Sequence, residues 1–151
     1  NMTSTGLLSE SKASDKMAMS QTARRWTLLG LPPFAPPVED ARMPWISLLG
    51  SIEHRLVLAN APERMLREQA DYLWVRSTGM IGSLFELIIR ASARAVRTGE
   101  ETLSRELLDD IEIDAAAEAA RPVVAKELEQ LKVNARKRWA RQAKKAEGVS
   151  A

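Results

Sequence analysis

The chain has 151 residues, of which 45% are hydrophobic and 28% charged, a composition typical of one globular domain. It contains no cysteine and a single histidine, His54, which excludes disulfides, cysteine nucleophiles and multi-histidine zinc sites. The sequence contains no apolar run of about 18 residues, so it predicts no membrane span, and no signal peptide is visible. Because the first residue is not Met, we expect the chain to begin inside a longer, cytoplasmic protein. We assign His54 no role.

The formal net charge of +2 conceals an uneven distribution. Residues 126–147 hold eight Lys or Arg and three Glu, a balance of +5, so the rest of the chain sums to −3. Much of that acidity lies in residues 100–118, where eight Asp or Glu accompany one Arg. The basic character is therefore a property of the C-terminal tail.

The first third of the chain is predicted to be irregular apart from one helix. Residues 1–14 are polar and unpatterned, and Asp15 can cap a helix that ends in the string QTARRW, residues 21–26. Residues 31–44 contain five of the seven prolines. Such a stretch disfavours a helix and the middle of a sheet, so we predict an extended linker between two units.

After Pro44 the apolar residues recur at spacings of three and four, which predicts helices and no strand. The expected fold class is all-α, a small helical bundle whose thin core argues for packing against another body. The first two helices are predicted over residues 45–56 and, from Pro62, over residues 62–74. The third is predicted over residues 80–98, with Phe85 among the inward residues and Gly99 as the stop. The fourth covers residues 104–111 with Ser104 as the cap, and the last begins at Pro122 after an alanine-rich stretch.

Three polar features are candidates for function, and each has an ordinary alternative. The pair Arg24–Arg25 can reach a neighbouring phosphate, or can simply favour the helix dipole. The string STGMIGSL, residues 77–84, can expose helix amides to an anion, or can be a plain helix connection. The tail KVNARKRWARQAKK, residues 132–145, suits a phosphate backbone, or can be a solvated terminal helix.

Enzymatic chemistry has no visible site in these residues. The sequence has no GxxxxGK[ST] phosphate loop, and a single histidine allows neither a metal cluster nor a Ser-His-Asp triad. The residues alone therefore predict no catalytic site and no metal ligand.

Several strings match a known family in order and spacing. NMTSTGLL, QTARRW and LPPFAPP open the chain, and LLGSIEHRLVL, STGMIGSL and IIRASARAVRTGEETLSRELL follow. In this order they resemble the C-terminal part of an AAA+ ATPase of the TniB/TnsC type, the transposon-encoded ATP-binding regulators of transposition. In that family a sensor strand, a helix ending in Q-x-x-x-R-aromatic, a proline-bearing linker and a helical lid follow one another. The match covers about residues 1–112 and is strongest from STGMIGSL to TGEETL.

The resemblance implies a division of the chain into four parts. Residues 1–30 would be a remnant of the α/β nucleotide-binding core, residues 31–44 the linker, residues 45–113 the helical lid, and residues 114–151 a C-terminal helix with a basic tail. The family binds ATP with Mg²⁺ between core and lid, assembles in rings or filaments on DNA and acts with a transposase.

Residue roles follow from the same resemblance. Arg25 would be the arginine finger that completes the site of the adjacent subunit, with Arg24 as the weaker candidate, Asn1 at the sensor position, and Arg76, Gly79 and Gly82 near the nucleotide. The phosphate loop and the Mg²⁺-binding acidic strand of the family are not in this sequence. We therefore expect this chain alone neither to hold nor to hydrolyse ATP.

A stand-alone helical binding module is the alternative function, and a purely structural role in assembly is a third. The module would contact nucleic acid or an acidic protein, and no membrane, through the basic residues of the last helix: Lys132, Arg136, Lys137, Arg138, Arg141, Lys144 and Lys145.

Overall fold

The computed structural model describes residues 31–147, with side chains to residue 144; all but the first of these belong to the second of two compact units, Pro32–Ala151. Throughout this range the regular structure is helical and includes no strand, which confirms the predicted all-α helical bundle. None of the described helices combines the length and apolar character needed to cross a bilayer. The predictions for residues 1–30 lie outside the described residues.

Within residues 31–147, six α-helices follow a short 3-10 turn, Glu39–Ala41. Their bounds are α1 Arg42–Glu53, α2 Met65–Glu68, α3 Ala70–Ser77, α4 Ile81–Thr98, α5 Arg105–Asp109 and α6 Ala115–Glu147. Helix α3 lies at the centre of the bundle, because it packs against both α4 and α6, while α1 packs on α2 and α5 on α4.

The proline-rich segment is fastened to the bundle. The backbone N–H of Phe34 donates to Gly79 O at 2.8 Å, and Trp74 Nε1 donates to Phe34 O at 2.9 Å. Helix α1 begins at Arg42, inside the predicted linker, so the prediction that no helix includes Pro44 was wrong. Pro44 is tolerated because it stands in the first turn, where a backbone N–H has no helical acceptor.

The predicted helix over residues 62–74 is divided into α2 and α3. The break lies at Gln69, whose backbone N–H bonds Leu66 O, three residues back, at 3.1 Å. Its side-chain Nε2 donates to Met65 O, the carbonyl that a regular helix would have given to the Gln69 N–H, and also to Leu103 O. The side chain of Gln69 therefore replaces a helical bond with two bonds that hold the break in place.

Helix α4 matches its predicted range, and Gly99 ends it with φ 76°, the left-handed conformation that glycine adopts without strain. Ser104 caps α5 as predicted, since its Oγ accepts from Leu107 N at 3.2 Å. The last helix differs: α6 begins at Ala115, and Pro122 lies inside it. Asp114 starts this helix by accepting from Ala117 N at 2.7 Å, and the alanines that follow favour helix, so two turns form before the proline.

The hydrophobic core lies between α1, α3 and α4, and α5 and α6 cover its flanks. Trp45 is fully buried, donates from Nε1 to Ala70 O at 2.8 Å and packs against Phe34 with ring centroids 5.4 Å apart. The other most deeply buried large apolar side chains include Leu49, Leu66, Leu73, Leu84, Leu87, Ile88, Leu103, Leu108 and Leu128. The prediction that Phe85 faces inward was wrong, because 41% of that residue is exposed.

Candidate functional site

The turn between α3 and α4 contains two successive residues in the left-handed region, Thr78 with φ 52° and Gly79 with φ 74°. A Cβ atom on Gly79 would lie 2.4 Å from Phe34 O, closer than atoms can approach. Position 79 therefore requires glycine for two structural reasons, its left-handed backbone conformation and the close approach of the segment that contains Phe34.

The start of α4 is open at Gly82. A Cβ atom there would meet nothing within 4 Å, and the first turn of α4 holds no acidic residue of its own. A carboxylate reaches this end of the helix from elsewhere, because Ser83 Oγ donates to Asp114 Oδ2 at 2.7 Å. Two helix N-termini thus share Asp114: its Oδ1 caps α6 and its Oδ2 binds the first turn of α4.

Arg76 does not take the nucleotide-facing position that the resemblance implies. The residue is 1% exposed, and its guanidinium donates to Tyr72 Oη at 3.0 Å and to Leu108 O at 2.7 Å. It also donates to Ile111 O at 2.5 Å and pairs with Glu118 at 2.8 Å. A buried arginine held by four internal partners acts as a joint between α3, the end of α5 and α6.

A second layer of polar contacts surrounds that joint. Tyr72 Oη donates to Asp109 Oδ1 at 2.8 Å, and Arg121 of α6 also pairs with Asp109. Burial raises the pKa of Tyr72, and the bond to Asp109 adds to the rise. Burial alone would raise the pKa of Asp109 as well, but the hydrogen bonds from Arg121 and Tyr72 outweigh it and hold that pKa below its usual value.

A cleft of about 660 Å³ opens between α3 and α6 beside this layer. The guanidinium of Arg105 lies 4.4 Å from the centre of the Tyr72 ring at its wall. Several of the charged side chains that line the cleft already pair with one another, since Lys132 binds Asp71 and Glu129 at 2.8 Å each. In the part of the chain that the structure describes, no group of His, Asp and Glu side chains could hold a metal ion.

Helix α6 divides into a docked part and an overhang. Ala117, Leu128 and Ala135 are buried and recur along one face, which packs towards α3. From residue 136 to residue 144 every side chain is exposed, and the helix continues to Glu147. We call residues 136–147 the basic overhang; at about 1.5 Å per residue it is about 18 Å long.

The basic residues predicted to bind nucleic acid fall into three groups. Lys132 and Arg138 are engaged with the bundle: Lys132 lies between Asp71 and Glu129, and Arg138 pairs with Glu39 at 3.0 Å. Burial alone would lower the pKa of Lys132, but the two carboxylate partners raise it by more. The net pKa therefore lies above the usual value, and the ammonium stays charged. The exposed cations that make no ion pair among the described residues are Arg136, Lys137, Arg141 and Lys144. Lys145 lies within α6, and its side chain is outside the described residues.

An apolar face along α4 was not anticipated. Phe85, Ile89 and Val96 lie on one side of the helix and are 41%, 65% and 54% exposed. Met80, at the start of the same helix, is also exposed. Phe85, Ile89 and Val96 follow a helical spacing of four and seven. The sequence did not distinguish this exposed face of α4 from its buried face, because both faces carry large apolar residues.

Sequence reasoning also missed Asp109 and Glu118, the acidic residues at the Arg76 joint, and Asp114, which caps α6. Asp114 had a readable signal, since an aspartate before an alanine-rich run is typical of a helix N-cap. Apart from Tyr72 in the same helix, the partners of Arg76 are more than 30 residues away along the chain, so no local pattern indicates them. Arg24, Arg25 and Asn1 lie outside the described residues.

No protein-family model, no curated protein and no solved structure matches this chain.

Proposed function

We propose that the chain supplies the lid and an arginine finger to an ATP-binding AAA+ regulator of DNA transposition. The proposal is supported by the ordered sequence resemblance over residues 1–112 and agrees with an all-helical bundle where the lid is expected. Such a regulator acts in the cytoplasm, assembles with further copies on DNA and passes target information to a transposase.

The observation that carries the proposal is the exposed apolar face of α4. Phe85, Ile89 and Val96 line the same helix whose first turn follows the glycine-bearing turn. Exposed apolar side chains grouped on one face of a helix are typical of a surface that another body covers. A nucleotide-binding core seated there would bury the face and would bring bound phosphate towards Gly82.

The chain's own residues fit a nucleotide at one place and not at another. Gly82 leaves open space at the start of α4, where a phosphate would replace the Asp114 carboxylate that Ser83 binds. Arg76 is bound internally and takes no part. ATP with Mg²⁺ would be held mainly by the core, and Arg25 would direct its charge at the γ-phosphate in the neighbouring subunit.

The test of the finger uses the longer protein, in which the coding sequence upstream of Asn1 is joined to this chain. Loss of an arginine finger lowers kcat by about 10³-fold or more, so we expect the Arg25→Ala protein to lose nearly all ATP hydrolysis while it still binds ATP. Arg55→Ala is the matched control, because Arg55 is an exposed arginine of the lid with no ion pair among the described residues. Hydrolysis by Arg25→Ala at the parent rate would contradict the assignment.

Nucleic-acid binding through α6 is the second candidate function, and the basic overhang favours it. Residues 130–146 contain seven Lys or Arg and no Asp or Glu, and the described side chains beyond residue 135 are all exposed. A dense row of cations displaces counterions from a phosphate backbone, so the binding would weaken steeply with added salt.

Charge removal on the overhang tests this second function in the chain as it stands. We expect a triple Lys137→Gln, Arg141→Gln, Lys144→Gln variant to lose most affinity for a fluorescein-labelled duplex at about 50 mM salt, measured by anisotropy. Deletion of residues 136–151 should give the same loss, whereas Arg55→Gln should bind normally. Unchanged binding by the triple variant would contradict the role of α6.

A further inference from the structure

The outward side of α6 carries one row of polar residues with a specific chemistry. With about 3.6 residues per turn, Gln130, Asn134, Lys137 and Arg141 fall on a single line at spacings of four, three and four. All four are exposed, and they lie on the far side of the helix from buried Leu128 and Ala135. The row therefore faces away from the bundle.

The side-chain types of this row are those that read base edges in duplex DNA. Gln and Asn donate and accept together at adenine, and Arg binds guanine through two parallel hydrogen bonds. Val133 lies beside the row and is exposed, and it lines a shallow cavity of about 410 Å³ together with Gln130, Asn134 and Lys137. An exposed apolar side chain in that position suits the methyl group of thymine.

Cations flank the row where phosphates would lie. Lys144 stands along one edge of the outward side, beside Lys137 of the row itself, whereas Arg138 stands along the other edge and pairs with Glu39 of the bundle. Glu127 and Glu129 precede the region, and residues 130–146 hold no carboxylate to repel DNA. The outward cations that make no ion pair among the described residues therefore lie along the C-terminal half of the row, whereas Glu129 lies beside its first residue and pairs with Lys132.

The dimensions agree with a groove-binding helix. An α-helix with its side chains is about 10–12 Å across and enters the major groove of B-DNA, which is about 12 Å wide. The row from Gln130 to Arg141 is about 17 Å long and spans about five base pairs at about 3.4 Å each. Gln130 and Asn134 lie in the docked part of α6, but both side chains are exposed on the side away from Leu128 and Ala135, so the bundle leaves that side accessible to a duplex.

We propose that α6 is a reading helix for the major groove of double-stranded DNA, in which Gln130, Asn134 and Arg141 contact base edges and Lys137 and Lys144 contact phosphates. This inference rests on the second function proposed above and names its partner. It predicts a preference for a short sequence motif, which charge alone would not produce.

The test selects binding sites for the full 151-residue chain from a pool of about 20-base-pair duplexes with randomised centres. We expect a motif of about four to six base pairs to be enriched. By anisotropy, Asn134→Ala and Gln130→Ala should each reduce the preference for the selected over a scrambled duplex about tenfold and leave the salt dependence unchanged. Lys137→Gln should instead weaken binding to all duplexes and lower the salt slope by about one.

The possible results separate this inference from the function on which it rests. An enriched motif whose preference Asn134→Ala abolishes supports the reading helix. Equal, salt-sensitive binding to single strands and to all duplexes overturns the reading helix and leaves nucleic-acid binding through α6 intact. Absence of binding to any probe at about 50 mM salt overturns both. Arg55→Gln removes one exposed cation from the bundle and should match the parent in each assay.

Discussion

A single buried arginine connects three parts of the bundle. Arg76 reaches Glu118 of α6, two carbonyl oxygens at the end of α5 and beyond it, and Tyr72 of its own helix. In a buried network of this kind each partner depends on the others, since a carboxylate that loses its cation remains desolvated. The structural role of Arg76 therefore accounts for its position without a ligand.

We expect Arg76→Met to lower the free energy of unfolding by about 3 kcal/mol, the lower end of the range for breaking a buried ion pair, because Glu118 is partly open to water. Urea unfolding followed by circular dichroism measures the change. Arg55→Met, at an exposed arginine, should stay within about 0.5 kcal/mol of the parent. If Arg76→Met lowers the free energy of unfolding no more than Arg55→Met does, the assignment of Arg76 as a joint between helices is contradicted.

Two glycines three residues apart should respond in opposite directions. Gly79→Ala places a Cβ 2.4 Å from Phe34 O in a left-handed conformation, so we expect a loss of about 1–3 kcal/mol or more. Gly82→Ala meets no atom within 4 Å inside a helix and should be neutral or raise stability by up to about 1 kcal/mol. Thermal unfolding of the two variants side by side checks the contrast, and equal losses would contradict it.

At the scale of elements, the helix boundaries that local chemistry sets were predictable. Gly99 and Ser104 end and begin helices through their own backbone and hydroxyl, and the sequence shows both. The break at Gln69 was not predictable, because it depends on a bond to Leu103 O, which is distant in sequence. The start of α6 was misplaced because Pro122 was given more weight than the capping aspartate and the alanines.

Asp114 gives α6 a stability that depends on pH. The hydrogen bond from Ala117 N, followed by that from Ser83, holds the pKa of Asp114 below its ordinary value. A carboxyl group whose pKa is lowered on folding contributes stability above the unfolded pKa of about 3.9, and that contribution is lost as the pH falls through the folded pKa.

We therefore expect Asp114→Asn to be less stable than the parent at pH 7, with the difference narrowing as the pH falls towards 3. Asparagine still caps a helix with its one carbonyl oxygen but does not titrate, and its NH2 group does not accept the bond from Ser83, so only the part of the difference that depends on pH reports the charge. Urea unfolding at a series of pH values measures it. Glu63→Gln, at an exposed carboxylate with no hydrogen bond among the described residues, is the control. A difference that is constant with pH would contradict the assignment.

At the scale of the whole molecule, the fold class followed from periodicity, whereas the candidate sites followed from it only in part. The basic overhang was visible as a run of charge, and the structure adds which of its cations the bundle engages. The apolar face of α4 was hidden in a helix that is apolar on two sides. A helix face that binds another protein carries the same apolar residue types as a face that packs into the core. The sequence of one chain therefore does not distinguish a binding face from a core face.

The measurement that tests the lid most directly is ATP affinity, determined with a fluorescent ATP analogue for three proteins. These are this chain alone, the product encoded upstream of Asn1 alone, and the two joined as one protein. If the proposed function holds, we expect no binding to the first, weak binding to the second and at least tenfold tighter binding to the third, since the proposed lid would close over the nucleotide. Joined protein that binds ATP no better than the upstream product would contradict the proposed function.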